Sequence, residues 1–91
     1  MVSNPQLDPP YWWHWDLVLT PHVEARMEER RLSEIELRRM LADSTDLAPA
    51  RMPGRYVARA RHRGRPWGVV LEPDEADGLL YVVTAYPREQ P

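Results

Sequence analysis

His22, Arg26 and Arg30 follow one another at intervals of four residues within Thr20-Pro21-His22-Val23-Glu24-Ala25-Arg26-Met27-Glu28-Glu29-Arg30, a spacing that stacks side chains on one face of a helix. An imidazole beside guanidiniums puts a proton carrier next to fixed positive charge. Acid–base chemistry on a phosphodiester needs both, whereas plain anion binding needs only the charge. Further along, Arg55, Arg59, Arg61, His62, Arg63 and Arg65 crowd together with no acid among them, and Glu72, Asp74, Glu75 and Asp77 crowd into the next stretch. The second half of the chain is therefore electrically polarised.

The row needs a helix to exist, and the local sequence provides its start. Thr20 is a natural N-cap, and Pro21 fits the first helical position, where its missing N–H costs nothing. His22 then lies in the first turn, at the positive end of the helix dipole, ready to accept a proton at neutral pH. At about 100° per residue, His22, Val23, Arg26, Met27 and Arg30 fall within roughly 140° of arc, with Glu24, Ala25, Glu28 and Glu29 opposite. Arg26/Arg30 and Glu24/Glu28 are like-charge i,i+4 pairs, unfavourable on an isolated helix. Something outside the helix is expected to satisfy the arginines, either carboxylates of the same fold or a bound phosphate.

The 91 residues suit one domain, of a size that buries only roughly 60–65% of its unfolded surface. No cysteine is present, which excludes disulfides, thiol catalysis and cysteine metal sites and is compatible with a reducing cytoplasm. With no run of 18 apolar residues and no charged-then-apolar leader, a soluble cytoplasmic protein with no membrane partner is expected. The net charge of -2 argues against nucleic-acid binding through bulk positive field, so the distribution of charge matters more than its sum. All 12 basic residues are arginine, a bias that a GC-rich genome explains more simply than selection for phosphate contacts.

Residues 1–11, with Pro5, Pro9 and Pro10, read as an extended or disordered lead-in, followed by a single domain over 12–87 and a tail over 88–91. Tyr11-Trp12-Trp13-His14-Trp15 is expected to cap the small core, and Asp16-Leu17-Val18-Leu19 to form a short strand. Ser33-Glu34-Ile35-Glu36 is a capping box opening a second helix to about Ala42, with Leu37, Met40 and Leu41 as its buried stripe. Residues 43–54 read as a connector. Residues 55–62 alternate as a strand, with Arg55, Val57, Arg59 and Arg61 on one side. Arg63-Gly64-Arg65 turns the chain, Trp67–Leu71 is an apolar strand, Pro73–Gly78 an acidic loop, and Leu79–Tyr86 a strand with Leu80, Val82, Thr84 and Tyr86 on one face. The expected fold is α+β, order β-α-α-β-β-β, with two N-terminal helices packed on a small antiparallel sheet of three to four strands.

Thr20-Pro21-His22-x3-Arg26-Met27-x2-Arg30, Leu32-Ser33 opening the next helix, Gly54-Arg55 opening a strand and the final Val82-Val83-Thr84-Ala85-Tyr86-Pro87 resemble the domain of unknown function 4258 family over residues 17–87. The resemblance implies a relation to the BrnT and RelE-type toxins, a RelE/barnase-like fold, and a metal-independent endoribonuclease or a derivative of one. It matches His22 and Arg26 to the family's helix histidine and arginine, Arg30 to its second arginine and Thr84 to its terminal-strand threonine. Arg31 stands where many members have a flexible glycine.

What the resemblance implies chemically is transesterification, in which the 2′-hydroxyl attacks the neighbouring phosphorus and leaves a 2′,3′-cyclic phosphate. His22 would be its base or acid, Arg26 and one of Arg59 or Arg61 the phosphate clamp with Arg30 alongside, and Thr84 or Tyr86 a hydrogen-bond donor. RNA is the expected partner, and a cognate antitoxin or immunity protein and a homodimer stay open. His14, His22 and His62 share no metal spacing, and no Gly-rich phosphate loop, Ser-His-Asp arrangement or EF-hand pattern is present. No cofactor is expected. Two other classes of reading remain beside the enzyme: a non-catalytic RNA- or partner-binding module on the same fold, and a structural protein whose arginines pair internally.

Overall fold

The computed structural model describes residues 3–88. The chain runs β1 (Asp16–Leu19), α1 (Pro21–Glu29), α2 (Glu34–Ala42), β2 (Asp46–Pro49), β3 (Tyr56–His62), β4 (Arg65–Asp74) and β5 (Leu79–Pro87). Both helices start where their caps dictate. The Thr20 hydroxyl accepts from the Val23 N–H at 3.2 Å with Pro21 just inside the helix. Before α2 the box is reciprocal: Ser33 Oγ accepts from the Glu36 N–H at 3.1 Å, and Glu36 Oε1 accepts from the Ser33 N–H at 2.9 Å.

Helix α1 ends in a Schellman arrangement, with the Leu32 N–H donating to the Met27 carbonyl at 2.9 Å and the Arg31 N–H to that of Glu28 at 3.2 Å. This closure puts Arg31 at φ 55, a left-handed conformation that strains any residue with a Cβ. The arginine occupies the turn position that favours glycine. It bends the chain so that Leu32 enters the core and α2 can double back.

The sheet has five strands in the order β1-β5-β4-β3-β2. It is mixed, because β1 pairs with β5 in parallel while the other neighbours are antiparallel. The expected antiparallel sheet of three to four strands is thus corrected by one more strand and one parallel pairing, while the α+β class and the helix placement hold. The added strand, β2, lies in the stretch read as a connector. It is four residues long, ends in Pro49 and offers Leu47 alone as a fully buried side chain, so it has almost no strand signature. Ser3 closes its outer edge by exchanging backbone bonds with Leu47 at 2.9 and 2.7 Å. The lead-in is therefore attached to the sheet from Ser3 onward, and Pro5 is fully buried. Residues 1–2 and all of the expected 88–91 tail except Arg88 lie outside the described residues.

Both helices cover the same face. Val23, Met27, Leu37, Met40 and Leu41 share one core with Ala58, Ala60, Trp67, Val69, Leu71, Leu80, Val82 and Ala85. Trp12, 4% exposed, closes this core against Tyr56 with ring centroids 4.9 Å apart, as expected of the aromatic cluster, while Tyr11 projects outward. Leu80, Val82 and Ala85 do not alternate by two. Val70 pairs with Thr84 and Leu71 with Val82, so Val83 has no partner and β5 bulges there. The bulge reverses the expected facing of the last residues: Ala85 joins the core, and Thr84 and Tyr86 turn to the other face, away from Leu80 and Val82.

Two outcomes follow from the caps. Arg31→Gly relieves the left-handed strain and raises the free energy of unfolding by about 1 kcal/mol, read from the urea midpoint. The Ser33 backbone N–H, then its hydroxyl, with smaller help from His62 and Arg63, hold the Glu36 carboxyl below its usual range. The folded state thus favours the ionised form, so the stabilisation is complete at neutral pH and is lost as pH falls below the ordinary glutamate range of about 4. Glu36→Gln keeps the box but not the charge, and its urea midpoint should fall less than that of the parent chain on acidification.

Candidate functional site

The expected row on α1 forms, but its members have different fates. His22 and Arg26 are exposed. Arg26 Nη1 sits 3.1 Å from Glu29 Oε2 on its own helix. Arg30 turns inward, and its Nη1 donates to the Ala85 carbonyl at 2.5 Å. That carbonyl belongs to the part of β5 beyond the last β1 pairing, Leu19↔Val82. Arg30 therefore ties α1 to the segment of β5 that has outrun its parallel neighbour.

The other expected residues gather on the sheet face that the helices leave uncovered. Register places Arg59, Gly68 and Tyr86 in one cross-strand row, and Val57, Val70 and Thr84 in the next. Gly68 lets the row close up: a Cβ built on it would lie 2.8 Å from Cζ and from Oη of Tyr86. The phenol thus lies across β4, reaching from β5 toward the Arg59 side. A lone glycine inside an apolar strand is the usual mark of such a close approach, and in Trp67-Gly68-Val69 it was the one signal available for it.

The arginines of this region are held but not exhausted. Arg55 Nε lies 2.7 Å from Glu72 Oε1, Arg59 Nε 3.3 Å from Asp46 Oδ2, and Arg61 Nη2 donates to the Gly64 carbonyl at 2.5 Å. Each guanidinium carries five N–H donors, so these contacts fix the head and leave donors for an anion. Arg59 and Arg61 also line a cavity of about 440 Å³ together with Asp46 and Arg88. Neither sequence spacing nor the family resemblance pointed to Arg88. It is carried there by β5, and its backbone N–H bonds the Pro66 carbonyl at 2.8 Å.

The structure thus brings Arg59, Arg61, Thr84 and Tyr86 to one face and leaves His22 and Arg26 in the helix layer. The arrangement on the open face can bind a phosphate and donate hydrogen bonds to it. Among the described residues, no three of His, Asp and Glu converge to hold a metal ion, and no helix is long and apolar enough to cross a membrane.

The two helix arginines should differ in mutational cost. Arg30→Ala removes a charged donor from a strand carbonyl and should cost about 1–2 kcal/mol, whereas Arg26→Ala loses an exposed pair worth under about 0.5 kcal/mol. Urea unfolding of the two variants checks the contrast.

Neither a curated protein nor a solved structure matches the chain. The sequence from residue 19 to residue 87, which spans α1, α2 and all of the sheet but most of β1, matches the family described as Domain of unknown function (DUF4258), and the chain belongs to that family.

Proposed function

We propose that the chain is a toxin-like endoribonuclease, related to the BrnT and RelE-type toxins, that cleaves RNA without a metal ion on the open face of its sheet. The observation that supports this reading is the Arg59–Gly68–Tyr86 row, which puts an arginine and a tyrosine in one cross-strand row on the face free of helices, with the phenol lying over Gly68 between them. Arg59 and Arg61 would hold the non-bridging phosphate oxygens, for which the planar guanidinium fork is suited. Thr84 and Tyr86 would donate to a phosphate of the same RNA strand.

In the reaction, the 2′-hydroxyl gives up its proton as its oxygen bonds to phosphorus. The bond from phosphorus to the 5′-oxygen breaks, and that oxygen takes up a proton, leaving a 2′,3′-cyclic phosphate and a 5′-hydroxyl. The arginines act on the charge that grows on the phosphoryl oxygens, where a placed donor contributes most. A cognate antitoxin or immunity protein would then act by covering this face.

A second reading, a non-catalytic RNA-binding module, is favoured by a specific observation: His22 stands in the helix layer while the clamp stands on the opposite face of the sheet. Incubation of the purified protein with RNA in excess EDTA separates the two readings. The enzyme yields fragments ending in 2′,3′-cyclic phosphate, with Arg59→Ala and Arg61→Ala each slowing cleavage about 100-fold and Tyr86→Phe slowing it less. Salt-sensitive binding with intact RNA supports the module instead. In cells, growth arrest on expression, relieved by Arg59→Ala, belongs to the enzyme alone.

A further inference from the structure

Among the described residues, the cavity that Arg59 and Arg61 share with Arg88 is lined by no imidazole, and the free edge of β3 offers one. Strand β3 loses its β2 neighbour after the Asp46↔Arg59 pair, so residues 60–62 have an open edge. Successive strand side chains point to opposite faces, yet around the end of this edge one cavity is lined from both. Arg61 comes from the open face and His62 from the helix face. With Glu36, Arg39, Asp43 and Arg63 they line a cavity of about 250 Å³ between α2 and the β3–β4 turn. The neighbouring cavity of about 440 Å³ shares Asp43 and Arg61 with it and adds Arg59 and Arg88.

His62 is held in a way that His22 is not. Its side chain is 11% exposed and meets Trp67 edge-on, with centroids 5.6 Å apart and planes at 87°. Its Nε2 lies 3.6 Å from Glu36 Oε2, and Arg63 Nη2 lies 3.6 Å from the same oxygen. Those distances are too long for hydrogen bonds, so the carboxylate stands beside the ring as a neighbouring charge. Glu36 is itself fixed, because its other oxygen serves the capping box. Three guanidiniums face two carboxylates in the cavity, which leaves one positive charge uncompensated when the imidazole is neutral. That balance suits a singly charged phosphodiester.

Resting on the ribonuclease reading, we propose that the proton-transfer group of this protein is His62, and that the cavity it shares with Glu36, Arg39, Arg61 and Arg63 takes a phosphodiester of RNA. His62 takes the proton of the attacking 2′-hydroxyl, or returns one to the leaving 5′-oxygen, while Arg61 bridges this cavity to Arg59. Glu36 is a positioning residue that steadies the imidazolium formed in between.

The test uses the full chain in EDTA with a short RNA oligonucleotide and, separately, inorganic phosphate. His62→Gln should lower kcat roughly 100-fold or more and abolish the change in rate across the pH range in which imidazoles titrate, with folding checked by its urea midpoint. His22→Gln should stay within a few-fold of the parent. Glu36→Gln retains a capping box, since glutamine also serves at that position, and should lower kcat while KM holds or falls, a split that simple unfolding does not produce. Phosphate should shift the His62 ring resonances in NMR spectra of the parent chain but not of Arg61→Ala. Undiminished cleavage by His62→Gln, or phosphate moving the His22 ring and not that of His62, overturns the proposal. If the parent chain leaves RNA intact while phosphate still shifts His62, the ribonuclease reading and the proton-transfer role fall and the phosphate site stands. If RNA stays intact and the His62 ring does not respond, both fall.

Discussion

The unpaired Val83 decides what the last strand can contribute. Strand β5 has neighbours on both sides at its start, where β1 and β4 pair with it, and its first residues alternate regularly, with Leu80 and Val82 in the core. Continued alternation would bury the Thr84 hydroxyl and the Tyr86 phenol under the helices, where each would need a partner. One extra residue avoids that. Ala85, small enough to sit beneath α1, takes the core position, and the two hydroxyl side chains emerge where β3 presents its arginines. The same bulge places the Ala85 carbonyl where Arg30 can cap it, so the helix row and the strand end are coupled by one irregularity.

The sheet has two incomplete edges, and arginines gather at both. A short outer strand leaves part of its longer neighbour unpaired, and bare strand backbone invites association with another chain. Here β1 stops at Val82 of β5, and β2 stops at Arg59 of β3. Arginine heads stand at both gaps: Arg30 beside β5, and Arg61 beside β3, where it reaches the Gly64 carbonyl of the following turn. An arginine at a strand edge satisfies a carbonyl, adds a charge that discourages edge pairing, and keeps spare donors directed outward. The same side chain therefore closes the edge and still holds donors that the fold does not use.

Much of this was legible in the chain, and what was not has physical reasons. Thr20, Pro21, Ser33 and Glu36 are local signals read through bonds of three residues' reach, and both helices begin where those residues require. Strand β2 was hidden because Asp46-Leu47-Ala48-Pro49 is stabilised by Arg59 across the strand and by Ser3, partners far away in sequence. The parallel pairing of β1 with β5 joins residues more than sixty positions apart, a relation no local pattern encodes. The bulge was invisible for another reason: Val82-Val83-Thr84-Ala85 contains neither glycine nor proline, and its residues suit a strand in either facing. Of the site, the arginine stripe on β3 could be read from alternation, but the proximity of His62 to Glu36 depends on how α2 packs over the end of that strand.

A chain with net charge -2 does not gather polyanions through a long-range field, since screening erases weak fields within about 10 Å at ordinary salt. What it can do is direct donors. Asp46 and Glu72 meet Arg59 and Arg55 through Nε, which leaves the terminal nitrogens of each fork less committed. A fixed fork loses little side-chain entropy when it meets a phosphate. Glu36 stands near an imidazole, 3.6 Å from His62 Nε2, without bonding it. Some of the acidic residues, Asp46 and Glu72 among them, stand against particular arginines rather than apart from them. Composition counts such acids only as neutralising charge, whereas their position also fixes where an individual guanidinium stands.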